Sequence, residues 1–435
     1  MPKKCVLIVF DGLGDRAYAE MKDRTPLQAA NTPHLDRLAS LGATGLYHPA
    51  ELGLALPSEN AHFIMFGYDL KDFPGRGYLE ALGAGLRPGP DEVALLGHFV
   101  TLREEDGQLV LVFDKPKASD KEFQALARSI SEFKSQGVQI SFHWTHSIFG
   151  ILILKGRVSP FFTDTGPMVN GFRLSSINPW KAYAHDQNTV RTVKALSSYL
   201  RWVYRTLPGQ AINRTRQKRK APVINGIVTQ RPGVQKSVLP FPEQNGMKGA
   251  SITAGLVFKG LSRYLGLDFI EVPDGADPGR DLAKRLALAY RNLANYDFIH
   301  VHSKAPDEAA HTKDPFLKKS VIEALDKGLG QEIEKFLKHP EVLIVATADH
   351  STPSRGSLVH SGEPVPVVFV GEGLRRDRIK KFDEVSAAGG ALGCVRGREL
   401  MYLILNHLDR MKLQGIMDTP VDQIYWPGRF KPFNV

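Results

Sequence analysis

Cysteine is nearly absent: Cys5 and Cys394 are the two in 435 residues. So sparse a supply excludes a disulfide framework and makes a reducing cytoplasm the expected setting. Long apolar runs are missing as well. After the basic opening Met1-Pro2-Lys3-Lys4 the apolar stretch covers only 5–10, too short for a signal-peptide core. No later run approaches the ~18 apolar residues that a membrane span requires, so no membrane partner is expected. There is no internal repeat, no low-complexity tract and no G-x-S-x-G elbow, and the last absence argues against a serine activated by a histidine–acid pair. Acid is missing locally. Arg201, Arg205, Arg214, Arg216, Lys218, Arg219 and Lys220 lie within twenty residues that hold no Asp or Glu, and they supply much of the net charge of +10. A solvated loop, a collar for an anionic substrate and a nucleic-acid patch all fit such a cluster. No nucleic-acid fold motif accompanies it, which ranks the loop first and the collar second and leaves nucleic acid unexpected as a partner.

What is present is the composition of an ordinary globular protein, 43% hydrophobic and 23% charged. The length suits two or three domains, or one large α/β core with an insertion. The apolar run 342–346 has the β-branched content of a strand buried on both faces. It gives way to Thr347-Ala348-Asp349-His350, and His360 follows after a turn-rich loop. The run 6–10 ends in Asp11-Gly12-Leu13-Gly14 in the same manner. Phe298-Ile299-His300-Val301-His302 is followed by Ser303-Lys304-Ala305-Pro306-Asp307, with His311 one helical turn after Asp307. In open α/β sheets ligands sit at the carboxyl ends of strands, where all three acids fall. Each has a plain structural alternative: an Asx-turn for Asp11, a solvated helix face for Asp307 and His311, a chance neighbour for Asp349. Ser58, in Leu56-Pro57-Ser58-Glu59-Asn60-Ala61-His62, stands where a helix N-cap would stand. The same place suits a nucleophile, because a helix N-terminus favours an alkoxide and an incoming phosphate.

Between 87 and 248 the character changes. Strand-like alternation at 99–103, 109–113, 139–143 and 151–155 alternates with helical periodicity at 121–133 and 189–204. This predicts an α+β unit inserted into a core made of 1–86 and 249–435. After Gly249 the α/β rhythm resumes, with helices expected at 253–265, carrying Lys259, and at 281–293. A last core strand is expected at 365–370, and the tail from Arg396 adds a helix and an end containing Trp426.

Asp11, Ser58, Asp307, His311, Asp349, His350 and His360 form a set too rich in oxygen for a structural zinc site. They suit manganese or zinc in a two-metal catalytic centre. Here the sequence resembles the alkaline-phosphatase superfamily, and within it the archaeal-type cofactor-independent phosphoglycerate mutases. The resemblance rests on VLIVFDGLGD, TPLQAANTPHLDRLA, SENAHFIMFGYD, PGRGYLEALGAGL, KAPDEAAH, and TADHSTP followed by HSGEPVPV. It implies a three-layer α/β core with a mostly parallel sheet and an inserted α+β cap. It implies one metal held by Asp307, His311 and His360, a second held by Asp11, Asp349 and His350, and Ser58 between them as the residue that becomes phosphoserine. Arg231 and Lys259 match positions with phosphate or carboxylate roles, and Asp114 and Lys115 begin a segment that is usually arginine-rich. The match weakens in the insert: Asp114-Lys115-Pro116-Lys117, Ser147-Ile148-Phe149-Gly150 and Asp164-Thr165-Gly166-Pro167-Met168 replace segments that usually carry arginine, histidine or acid. Planar arginine forks are not replaced conservatively. The expectation is therefore a phosphoserine enzyme acting on a small anionic phosphorylated or phosphonate substrate other than phosphoglycerate. The alternatives are a genuine phosphoglycerate mutase and a catalytically idle binding protein that reuses the fold.

Overall fold

The three apolar runs that end in acids lie side by side. The computed structural model describes residues 2–167, 169–411 and 434–435, so Met168 and Trp426 lie outside the described residues. The chain divides into two compact units. The first comprises Met1–Phe73, Val238–Phe258 and Ser262–Val435, and the second comprises Pro74–Ser237 and Lys259–Leu261.

The first unit is built on an eight-stranded sheet. Its order is Asp268–Glu271, Gly249–Thr253, Phe298–Ser303, Lys4–Phe10, Val342–Thr347, Val365–Val370, Ala43–His48 and Gly393–Arg396. The first five strands are mutually parallel; Val365–Val370 runs antiparallel to both neighbours. Lys4–Phe10, Phe298–Ser303 and Val342–Thr347 are buried almost throughout, as strands covered on both faces must be. Phe10 pairs with Ser303, and Val9 with Thr347. The three strands thus end nearly level, and the residues that follow them emerge at one edge. The helices Pro278–Arg291 and Pro315–Leu337 pack on each other. A Cβ on Gly328 would come within 2.1 Å of the Gly279 carbonyl oxygen, so the close approach of the two backbones depends on glycine there.

The second unit carries a six-stranded antiparallel sheet. Glu92–Glu105 is its long strand: its first part pairs with both Phe149–Lys155 and Gly226–Val234, its last part with Gln108–Phe113, and Val138–His146 and Glu132–Ser135 complete the sheet. The helices Asp120–Ser129 and Gln187–Thr206 lay Phe123, Leu126, Leu196, Tyr199 and Val203 against Phe99, Phe142 and Leu152 of the strands.

Several sequence boundaries differ. The expected insert, 87–248, differs from the second unit at both crossings. Helix Arg76–Gly83 packs on Glu92–Glu105 and Gly226–Val234, which draws it into the second unit. Gly249–Thr253 pairs with Phe298–Ser303 and keeps its neighbours in the first. The helix expected from 253 starts at Leu256, because Thr253 ends that strand. The helix expected to run to 133 stops at Ser129, and Phe133 joins a strand. The basic stretch 201–220 is mostly helical rather than a loop: it completes Gln187–Thr206 and includes Ala211–Lys218. Arg216 is buried, donates to the Pro222 and Lys117 carbonyls and pairs with Glu122 at 3.2 Å.

Candidate metal centre

The level ends of three parallel strands bring the sequence-selected residues into one cluster. Asp11 and Asp349 are fully buried, with Asp307 and His350 at 2% exposure and Ser58 at 6%. His350 Nε2 lies 3.3 Å from both Asp11 Oδ1 and Asp349 Oδ2. His360 Nε2 lies 3.5 Å from Asp307 Oδ1, and His311 Nε2 lies 3.2 Å from the same oxygen. The His350 and His360 rings stack at 3.8 Å. Two groups of converging donors result: Asp307, His350 and His360, and Asp11, Asp349 and His350. His350 belongs to both, so the two candidate sites adjoin. His311 is 38% exposed and stands at the rim of the Asp307 group.

Ser58 is not a cap. Pro57 occupies the N-cap position of helix Ser58–Met65, and Ser58 is the first helical residue. Its hydroxyl is 3.0 Å from His350 Nε2 and 3.3 Å from Asp11 Oδ1. Gly12 lets the loops close in. Its N–H donates to Asp349 Oδ1 at 3.0 Å. With φ at +64°, a Cβ there would strike Thr352 Oγ1 at 2.6 Å and Asp307 Cβ at 2.8 Å.

The donor set fits divalent cations on three grounds. First, the imidazoles offer lone pairs. Thr352 Oγ1 donates to Asp307 Oδ1 at 2.8 Å, so the His350 Nδ1 that it meets at 3.1 Å must carry a hydrogen. His360 Nδ1 donates to the Leu56 carbonyl at 2.8 Å. In the neutral rings the Nε2 atoms are therefore the lone-pair positions, and they face the carboxylates; a hydrogen bond at the far nitrogen is what orients a metal-ligating histidine. Second, burial and the Asp349 and Asp307 charges push the Asp11 carboxyl well above its ordinary range. Burial also works to raise Asp349, but His350 and His62 outweigh it and hold that carboxyl at about 2. Cations between them would let all three acids stay ionised together. Third, buried Asp349 Oδ2 has no hydrogen-bond partner among the described residues.

Sequence reasoning passed over the layer beneath. His302 Nε2 donates to Asp11 Oδ2 at 3.0 Å while its Nδ1 takes the Thr253 hydroxyl at 2.8 Å. Burial and neighbouring His62 press its pKa well below the ordinary histidine range, so it is a neutral donor. Its signal was available: His300 and His302 are two apart on one strand and so share a face. Lys318 was also missed. It is fully buried and donates to Gly14 O, Thr352 O and Asp15 Oδ2, tying the Asp11 loop to the Asp349 loop.

The four residues expected at substrate lie in the second unit. Asp114 accepts a hydrogen bond from His98 Nε2 at 2.9 Å, which, together with the nearby Lys115, holds its pKa below the ordinary range. Lys115 is exposed on the residue after it. Arg231 has φ at +52° and donates its backbone N–H to Asp164 Oδ1 at 2.8 Å. Lys259 lies on the helix Leu256–Leu265.

Fold and centre together define a metal-dependent phosphotransferase of the alkaline-phosphatase superfamily. The Metalloenzyme superfamily matches residues 3–407. The 2,3-bisphosphoglycerate-independent phosphoglycerate mutase 2 of Methanocaldococcus jannaschii is 38% identical over 98% of this chain and 97% of its own. The corresponding mutase of Methanopyrus kandleri is 35% identical over 95% and 99%. Among solved structures, the PH0037 protein of Pyrococcus horikoshii is 29% identical with a TM-score of 0.77, covering 96% of this chain and all of that one. The cofactor-independent phosphoglycerate mutase of Thermoplasma acidophilum gives 30% and 0.63, covering 93% and 100%. The chain belongs to the archaeal-type family of 2,3-bisphosphoglycerate-independent phosphoglycerate mutases.

Chelation supplies a direct test of the centre. Prolonged treatment with a strong chelator is expected to remove all activity on phosphate esters, and manganese or zinc to restore it. Full activity in a preparation shown by elemental analysis to lack divalent metal would discard the centre.

Proposed function

We propose that this protein is a phosphoglycerate mutase that moves the phosphoryl group between the 2- and 3-hydroxyls of glycerate through phosphoserine at Ser58. The observation that carries it is the Ser58 hydroxyl, which leaves its helix uncapped and instead meets His350 and Asp11 in the buried cluster. Bound divalent cations, manganese or zinc, would supply charge neutralisation to the phosphoryl oxygens and favour the ionised serine. The helix N-terminus places its partial positive charge at the same oxygen. In the first half-reaction the Ser58 oxygen attacks phosphorus in line. The P–O bond to glycerate breaks, and the freed glycerate oxygen takes up a proton. The reverse of these steps at the other hydroxyl restores Ser58. Asp307, His311 and His360 would hold one cation and Asp11, Asp349 and His350 the other, with His350 near enough to serve both groups. Asp114, Lys115, Arg231 and Lys259 are the proposed contacts to the substrate's charged ends. Such a substrate belongs in the reducing cytoplasm; among the described residues no helix is long and apolar enough to cross a membrane.

The departures in the insert favour another phosphorylated substrate on residue chemistry alone. The whole-chain likeness weighs more: the M. jannaschii mutase aligns over 98% of this chain, insert included. An assay coupled to enolase decides between them. Turnover of 3-phosphoglycerate comparable with that of a glycolytic mutase is the expected result. Phosphate release from other esters with no isomerised phosphoglycerate would return the reading to a different substrate.

A further inference from the structure

We propose that His62 is a positioning residue that locks the nucleophile to the metal ligand Asp349. It lies one helical turn after Ser58, in the helix Ser58–Met65, and its side chain is fully buried. His62 Nδ1 is 2.8 Å from the Ser58 carbonyl oxygen and 3.4 Å from Asp349 Oδ2. Both neighbours can only accept, so Nδ1 carries the hydrogen: it donates to the Ser58 carbonyl and faces Asp349 Oδ2 as a longer electrostatic contact. The opposite nitrogen, Nε2, is buried with no partner among the described residues. A site selected for packing alone would place an apolar ring here, since an unmade buried hydrogen bond costs stability. The ring is therefore retained for the hydrogen bond and the charge contact made at Nδ1.

The surroundings fix that ring in one orientation. It stands edge-on to Phe258 at 4.9 Å, to His302 at 4.9 Å and to His300 at 5.2 Å. His302 in turn donates to Asp11. The carboxylates Asp11 and Asp349 are thus each held from beneath by an imidazole, and the one beneath Asp349 also grips the backbone of Ser58. The backbone of the serine and a carboxylate of the metal centre thereby face one polarised N–H, bonded to the first and in electrostatic contact with the second. Where a side chain holds a metal-ligating group in place, its loss typically costs about 10–100-fold in metal affinity or activity.

The inference rests on Ser58 and the metal centre as read above, so the test needs an arm that is independent of substrate. Two variants separate positioning from packing. His62→Leu keeps an apolar side chain of similar bulk and removes the donor. His62→Asn loses bulk but places its amide N–H near the former Nδ1. Manganese affinity is measured on metal-depleted protein by calorimetry, alongside kcat, KM and the thermal midpoint. For His62→Leu the expected result is manganese affinity and kcat both reduced about 10–100-fold, KM within about twofold, and a midpoint equal to or above wild type. His62→Asn is expected to recover most of both losses despite a lower midpoint. If instead the two variants rank by thermal midpoint, with the leucine variant the more active, His62 is a packing residue and the proposal fails. Manganese affinity unchanged in His62→Leu overturns it as well. Absence of phosphoglycerate turnover in wild type would refute the proposed substrate, while the manganese comparison would still decide the role of His62.

Discussion

Ser58→Ala is expected to lower turnover by roughly 10⁴-fold or more, the scale on which removal of an attacking nucleophile acts, and to leave metal binding nearly intact. The two expectations come from different atoms. The hydroxyl faces Asp11 Oδ1 and His350 Nε2, donors to a candidate cation that would stabilise an ionised oxygen there. It has no structural duty at the helix start, since Pro57 is the N-cap and no side chain caps the first turn. The usual loss of about 1 kcal/mol for removing a serine cap therefore does not apply, and alanine is the best helix former for the first turn. The other donors remain: His302 still holds Asp11, and Thr352 still joins Asp307 to His350. Manganese titration should consequently give nearly the wild-type affinity, and the thermal midpoint should barely move. Acid-quenched wild-type protein, digested and weighed by mass spectrometry after exposure to substrate, should carry phosphate on the peptide containing Ser58; the variant should carry none. Near-normal activity in Ser58→Ala would reduce the serine to an ordinary first-turn residue and remove covalent catalysis from the mechanism.

Much of this centre was legible because strand burial and chemistry share a register. The runs 6–10 and 342–346 are apolar without alternation, which only doubly covered strands can afford, and each ends abruptly in an acid. What sequence could not supply was adjacency. That Phe10 lies beside Ser303 and Val9 beside Thr347 depends on pairings over some 290 and 340 residues. Spacing joins Asp307 to His311, four apart on a helix, whereas folding brings His350 against both groups. The last two strands of the sheet were hidden by composition: Ala43–His48 and Gly393–Arg396 contain glycine and polar residues and owe their strand form to the neighbours they pair with. The basic stretch 201–220 misled because charge dominates its composition. Its helices are set by Tyr199, Val203 and Leu207 beneath, and by buried Arg216 and Asn213.

Lys318→Met is expected to destabilise the first unit by about 3–5 kcal/mol, the cost of leaving one partner of a buried ion pair alone. Lys318 lies in the first turn of Pro315–Leu337 with no exposed surface, and Asp15, its partner at 3.1 Å, has a fully buried side chain. The position was readable in retrospect: 318, 322, 325 and 329 follow helical spacing, and Ile322, Leu325 and Leu329 are core residues. A lysine in that stripe must have a buried acceptor set. It has three, the carbonyls of Gly14 and Thr352 and the Asp15 carboxylate. Methionine fills the volume but leaves those acceptors with fewer donors. Asp15 would keep the Ser354 hydroxyl and the Tyr18 hydroxyl, so its charge would be solvated in part by neutral donors, and the loss should fall toward the lower end of the range. The consequence reaches the centre through Thr352, which orients both Asp307 and His350. Weaker manganese binding should therefore accompany the lower urea midpoint. Lys327→Met, nine residues on at an exposed position of the same helix, is the control and should shift the midpoint by under about 0.5 kcal/mol. The double variant Lys318→Met with Asp15→Asn should be more stable than Lys318→Met alone, because it removes the unpaired charge. If Lys318→Met unfolds no more easily than the control, the buried pair does not hold the two metal-bearing loops together, and their closeness must come from the strand register alone.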